Sequence, residues 1–369
     1  MLGYEVCCVA QTELPSNCGP DVRCWHKCDL SRESIMRPLH LRHASPALAA
    51  AVLLLAVALG TPRAASPVTD AAQGDFAGLF DIGGGRRLYI ECRGTGSPAV
   101  VLEAGYRSSA RIWSEDFHQS GAPRPMVLAG VAAFTRVCAY DRPGTVALPN
   151  DNVRQSRSDP VPMPRTALDG VADLHALLRA AGVPGSYVFA GHSLGGLFVR
   201  LYASTYPRDV LGLVLVDAYS EKLETLLTPE RWAALVRLNV RSGSDTIKTI
   251  PSYGDLETIG YGKDNVVMRH AEATTPLGPM PLAVLAHVRP FELPKEAEGF
   301  SSDALESVLR AANENLATLV PNARFFVAKD SGHDIHQDQP ELVIEAIRQV
   351  VVGVRHPAAW YHLRSCCAK

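Results

Sequence analysis

The chain has 369 residues, 47% hydrophobic and 20% charged, which is enough apolar sequence for one large core and excludes a chain disordered throughout. Its formal net charge is -2 and its basic residues are scattered rather than striped, which argues against nucleic acid or a polybasic membrane contact as the partner. A small molecule is the expected partner.

Residues 1–35 hold five of the nine cysteines (Cys7, Cys8, Cys18, Cys24 and Cys28) without a sustained apolar period. No paired Cys-x-x-Cys spacing supports a zinc module there. From Met36 the order changes to basic residues (Arg37, Arg42), an apolar run from Ala47 to Gly60, and then small residues Ala64 to Ser66. That order is the pattern of a secretory signal peptide over 36–66, with Met36 expected as the initiator and 1–35 as a mis-assigned or disordered extension. The apolar run is shorter than the roughly twenty residues that span a bilayer, so a membrane anchor through 47–60 is the second reading, after a secreted or cell-envelope location.

Beyond residue 67 the expected domain runs to 356, followed by a tail over 357–369. RRLYIECRG (86–94) alternates like a strand, and PAVVLEAG (98–105) and TRVCAYDRPG (135–144) are apolar runs that end in glycine. ALDGVADLHALLRAAG (167–182) places Val171, Leu174, Leu177 and Leu178 at helical spacing. The strand YVFAG then leads into Ser193, and Leu197, Val199, Leu201 and Tyr202 continue as a helix that Pro207 ends. LGLVLVDA (211–218), PLAVLAHV (281–288) and ARFFVAKD (323–330) complete the strands, and a helix is expected over 340–354 with Pro340 at its start. Apolar strands alternating with helices imply an α/β protein whose mostly parallel sheet is covered on both faces. The rhythm breaks over 218–279, a stretch better read as a lid, with a helix over 228–238, than as a second domain.

Gly191-His192-Ser193-Leu194-Gly195 fits G-x-S-x-G, in which a serine sits on a sharp strand-to-helix turn. Glycine is needed there because a side chain beside the turn would collide with the adjoining strand or helix. A serine hydroxyl needs a base, and His333, in a loop after the last expected strand, is the candidate. His336 is its nearest competitor, while His192 inside the turn packs or orients it. The orienting carboxylate is open between Asp217, at the tip of LGLVLVDA, and Glu292, after PLAVLAHV; the strand tip favours Asp217. Oxyanion donors are expected from the N–H of Leu194 and, from the loop after VVLEAG, the N–H of Tyr106.

LYIECRGTG, VVLEAG, RVCAYDRPG, GHSLGGLFVRLYA, GLVLVDA and SGHDIHQDQPELV together resemble the α/β-hydrolase superfamily over roughly Phe76 to Arg355, in particular secreted or envelope-associated bacterial serine hydrolases. The resemblance implies an eight-stranded sheet with the lid inserted after the sixth strand. It also implies that, where an acid is missing after the seventh strand, the carboxylate follows the sixth, which is Asp217 here. In the superfamily's sheet order the strands of Cys92 and Cys138 are neighbours, so it implies a disulfide as one state of that pair, with two buried thiols as the other. The oxyanion loop departs from the commoner His-Gly opening by reading Glu103-Ala104-Gly105-Tyr106. The expected activity is hydrolysis of a small-molecule or lipid carboxylic ester through an acyl-enzyme, with no cofactor and no metal. Thioester or amide hydrolysis with the same triad, and a noncatalytic binding or envelope protein on the same fold, are the alternatives.

Overall fold

A computed structural model of the protein describes residues 74–118, 123–148, 153–241, 256–291 and 301–362. The 1–35 extension, the 36–66 segment, Glu292 and tail residues 363–369 therefore lie outside the described residues.

Eight strands form one sheet: β1 (Phe76–Gly83), β2 (Arg86–Arg93), β3 (Ala99–Glu103), β4 (Val137–Tyr140), β5 (Tyr187–His192), β6 (Val210–Val216), β7 (Leu282–His287) and β8 (Arg324–Ala328). Their order across the sheet is β1-β2-β4-β3-β5-β6-β7-β8. The β1–β2 and β2–β4 pairs are antiparallel and every other pair is parallel. β1 precedes the first strand expected from the sequence; it is an edge strand that alternates half-buried and exposed residues, so it lacks the continuous apolar run of β3, β5 and β6. Cys92 lies directly opposite Cys138 in the β2–β4 register, and their sulfurs are bonded.

The period of two along each central strand divides the core. Val101, Phe189, Leu213, Leu215 and Val284 face one side, where they meet α2 (Ala167–Ala180) and α3 (Leu194–Thr205) through Val171, Leu174, Leu197 and Leu201. Val100, Leu102, Val188, Ala190, Val214 and Leu285 face the other side, against α1 (Val127–Ala132) and α9 (Pro340–Arg355). Each of the valine, leucine and phenylalanine side chains among these contributes roughly 1.5–3 kcal/mol by leaving water, so both faces of the sheet are committed and function is left to the loops at its ends.

Between β6 and β7 the described chain forms α4 (Leu223–Leu226), α5 (Pro229–Arg241) and α6 (Tyr261–Thr274). α7 (Ser302–Leu316) lies between β7 and β8, and α8 (Ile335–Asp338) precedes α9 and the terminal α10 (Pro357–His362). The sequence patterning did not mark α1, α6 or α7. Among the described residues no helix is long and apolar enough to cross a membrane.

Candidate active site

Ser193 stands between the end of β5 and the first residue of α3 with φ 51° and ψ -124°. A left-handed φ at a non-glycine residue is strained, and the surrounding bonds impose it: the Ser193 N–H donates to Val216 O at 3.1 Å, and its carbonyl accepts from Gly196 and Tyr219 at 2.9 and 2.8 Å. The turn closes only around glycines. A Cβ on Gly191 would lie 2.6 Å from Gly195 O, and one on Gly195 would lie 2.5 Å from Glu103 O. The serine is thus held at the C-terminal edge of the sheet, above the N-terminus of α3, where Leu194 begins the helix and its N–H has no partner within it.

The tip of β6 supplies Asp217, also at positive φ (43°), whose N–H donates to Leu285 O at 2.8 Å. Its Oδ2 lies 2.5 Å from Nδ1 of His333, in the loop after β8. The structure therefore joins the expected base to the carboxylate favoured by the sequence. Burial pushes the Asp217 carboxyl up, but hydrogen bonds from His287 and His333 outweigh it and hold the group well below the usual carboxylate range. Burial likewise lowers the His333 imidazole, yet the bond to Asp217 and its charge leave it above the ordinary value.

His192 sits beneath this pair. Its Nε2 lies 3.1 Å from the carbonyl oxygen of His333, and its ring centroid is 4.6 Å from that of His333 and 4.3 Å from that of His336. It therefore fixes the loop of His333 relative to the serine turn. His336 is buried against Trp113, with ring centroids 5.0 Å apart, and burial lowers its pKa to about 4, so it is a neutral packing group near neutral pH.

On the other side of Ser193 lies the loop after β3. A Cβ on Gly105 would come within 3.2 Å of Ser193 Cβ, so the loop directly flanks the serine at Gly105. The sequence did not anticipate what holds this loop. Arg142, buried at the end of β4, donates to Ala104 O at 2.8 Å and Gly105 O at 2.6 Å, and pairs with the carboxylates of Glu103 and Glu257. Tyr140 donates its hydroxyl to Glu103 Oε2 at 2.5 Å, and the Arg107 N–H donates to Glu257 Oε2 at 2.6 Å. The Glu103 side chain that departs from the commoner loop is thus the anchor of a buried ion network. Glu257 reaches it from the segment before α6, where Glu257 N–H bonds Gly144 O at 2.9 Å.

The sequence also missed His287 at the end of β7. Its Nδ1 lies 2.7 Å from Asp217 Oδ2 and its Nε2 lies 2.9 Å from Glu306 Oε2 on α7. The signal was present in PLAVLAHV, whose penultimate residue His287 stands just before the loop in which an acid was sought. Among the described residues, two groups of three place imidazole and carboxylate atoms within 4.8 Å of one another, Asp217 with His287 and His333, and His192 with Asp334 and His336. In the first, the Nδ1 atoms of His287 and His333 both lie against Asp217 Oδ2. The arrangement as a whole can accept a proton from a hydroxyl, hold it beside a fixed carboxylate, and offer N–H groups to a developing oxyanion.

The sequence profile of the alpha/beta hydrolase family matches residues 100–346. The uncharacterized protein YqjL of Bacillus subtilis is 27% identical over 268 residues, covering 72% of this chain and 88% of the relative. An AB hydrolase superfamily protein of Gibberella zeae is 24% identical over 319 residues, covering 73% of this chain and 92% of the relative. Among solved structures, Cfl2 from Burkholderia cenocepacia superposes with a TM-score of 0.50 at 17% identity, over 75% of this chain and 96% of that one, a likeness of fold.

Proposed function

Because the chain belongs to the alpha/beta hydrolase family, we propose that it is a serine hydrolase that cleaves carboxylic esters through a Ser193–His333–Asp217 triad. The observation that carries this reading is the 2.5 Å bond between Asp217 Oδ2 and His333 Nδ1 at the sheet edge where strained Ser193 emerges. Asp217 fixes the tautomer of His333 with the proton on Nδ1, leaving Nε2 free to accept one. Ser193 Oγ attacks the acyl carbon as Nε2 takes its proton, and the carbonyl oxygen becomes an oxyanion facing the N–H groups of Leu194 and Tyr106. Collapse of this tetrahedral intermediate breaks the bond to the alkoxy oxygen, which leaves as an alcohol with the proton from His333. Water, deprotonated by His333, then releases the acid and restores Ser193.

The Tyr261 ring of α6 meets the rings of Tyr106, Tyr219 and Trp232 at centroid distances of 5.4–6.5 Å, linking the loop after β3 to the segment between β6 and β7. Phe291 stands 5.0 Å from the His333 ring. These apolar faces support a small-molecule or lipid ester over a strongly charged substrate. The Cys92–Cys138 bond supports export to the cell envelope or beyond.

The test is fluorophosphonate labelling of the purified protein with Ser193→Ala and His333→Ala beside it, followed by a p-nitrophenyl ester chain-length series. Labelling at Ser193 that both variants lose is the expected result, and the ester series then defines the acyl group. Folded protein that resists the reagent would leave a binding protein on a hydrolase fold.

A further inference from the structure

His287 occupies the end of β7, and its side chain is 3% exposed. Each of its ring nitrogens faces a carboxylate: Nδ1 is 2.7 Å from Asp217 Oδ2 and Nε2 is 2.9 Å from Glu306 Oε2. A neutral imidazole has one N–H and one lone pair, so it can satisfy only one of these contacts; the other would set a lone pair against a carboxylate oxygen. Both contacts are attractive only if both nitrogens carry protons, or if Glu306 is itself protonated. Glu306 Oε1 accepts the Phe291 N–H at 2.8 Å, which leaves Oε2 as the oxygen turned toward His287.

We propose that His287, clamped between Asp217 and Glu306, is a positioning residue protonated on both ring nitrogens at pH 7, which holds Asp217 against His333 and divides the carboxylate's charge between two imidazoles. The inference rests on the triad reading above and deepens it. The titratable groups that face His287 are Asp217 from the end of β6, Glu306 from α7, and His333 from the loop after β8, whose ring centroid is 6.3 Å away. α7 also contributes Asn313, which donates to Asp217 Oδ1 at 3.3 Å, and Phe291 packs edge-on at 5.3 Å. Burial lowers the His287 imidazole, but Asp217 and Glu306 outweigh it and leave it above the usual value.

The consequence falls on His333, which must be neutral to take the proton of Ser193. Facing an undivided carboxylate, it would hold a proton too firmly for a base at neutral pH. A fixed cation at this distance opposes that hold, and two unit charges so placed in a partly buried site shift a pKa by about one to two units. His287 and Glu306 thus keep the base available without weakening the bond that orients it.

The decisive variant is Glu306→Gln. Its Oε1 still accepts from Phe291, and its amide N–H donates to Nε2 of a now neutral His287, so the contacts survive and the charge goes. His287→Asn keeps a donor toward Asp217 without the charge. In both, the acid limb of kcat/KM against pH for p-nitrophenyl acetate is expected to move up by about one unit, with the plateau lowered by no more than about tenfold. An acid limb unmoved in both folded variants, with activity lowered equally at every pH, would mean a merely structural role and overturns the inference. Should neither variant fold, histidine-selective ¹⁵N NMR of the wild-type protein decides: a doubly protonated His287 ring at pH 7 supports the inference, and a neutral tautomer ends it. Failure of the triad itself is recognised separately, because Ser193→Ala would then retain esterase activity; failure of this inference alone leaves Ser193→Ala inactive.

Discussion

On the His333 side of Ser193 the supporting groups are imidazoles and carboxylates, Asp217 with His333, His287 and Glu306, whereas on the other side the buried guanidinium of Arg142 is braced by Glu103 and Glu257. Imidazoles change charge near neutrality and arginine does not. Burial would weaken the Arg142 cation, but its pairs with Glu257 and Glu103 hold it far above any working pH. One half of the site is therefore built to respond to protons while the other half holds its geometry. The proposed mechanism accounts for the division: a base must gain and lose a proton within one turnover, and an oxyanion loop must stay still while charge develops beside it.

The sharpest way to break this comparison is at Asp217. Asp217→Asn is expected to lower kcat/KM by about 10⁴-fold, the scale known for the serine-protease template when the orienting carboxylate is lost. Ester kinetics check it, and a loss below tenfold would move the acid role elsewhere, first to Glu292.

Arg142 comes next, and here stability carries the largest effect. Arg142→Met leaves Glu103 and Glu257 buried without their cation, and breaking a buried pair from one side costs about 3–5 kcal/mol. Arg142→Lys is not a rescue, because one ammonium cannot reach two carboxylates and the Ala104 and Gly105 carbonyls together. Chemical denaturation of both variants is the measurement, and a midpoint shifted by less than about 1 kcal/mol of stability would show that the oxyanion loop stands without the network.

The proton-sensitive half also makes a prediction about folding in acid. Burial lowers the His336 pKa to about 4 in the folded protein, against about 6.5 unfolded. The unfolded state thus binds more protons between those values, and stability falls as pH drops from about 6.5 to 4, by up to about 3 kcal/mol from this group. His192, lowered in the same direction by burial and by its histidine neighbours, adds to the slope. His287 and His333 act with the opposite sign: their raised values contribute stability that is present below pH 6.5 and lost as pH rises through them. Denaturation midpoints from pH 4 to 8 for wild type and His336→Phe test this, with a flatter acid slope expected in the variant; parallel slopes would remove His336 from the account.

What the sequence made legible, and what it hid, follow the same division. Ser193, its glycines, His333 and Asp217 each end a buried strand or sit in a loop after one, so strand ends, the G-x-S-x-G motif and the resemblance to α/β-hydrolases together placed them at one edge of the sheet. The partners of Arg142 could not be read this way. Glu103 looked like a departure from a familiar loop, and Glu257 lies 115 residues from Arg142 in the sequence, in a segment with no strong period. His287 was passed over because an acid was sought in the loop after it, although a basic residue at that strand end is informative once Asp217 is taken as the carboxylate. Long-range ion pairs leave no periodic trace, since burial of a charge is decided by its partner and not by its neighbours in the chain.

Gln337 sharpens the comparison by joining the halves. It lies on α8, four residues beyond His333, and its Nε2 donates to Ile112 O at 2.6 Å and Glu115 O at 3.1 Å while its Oε1 accepts from Phe117 N–H at 2.9 Å. These bonds fasten the loop of the base to the segment that follows the oxyanion loop, and Gln337 is only 3% exposed, so water does not readily replace them. Gln337→Ala leaves buried backbone groups unpaired and is expected to cost about 1–3 kcal/mol of stability. If the halves are mechanically coupled, kcat/KM also falls, by about three- to tenfold, without a change in the acid limb, because no titrating group has been touched. A variant destabilised to that extent but with unaltered kcat/KM would mean that each half of the site holds its own geometry, and the two networks around Ser193 would then be independent supports that share only the serine between them.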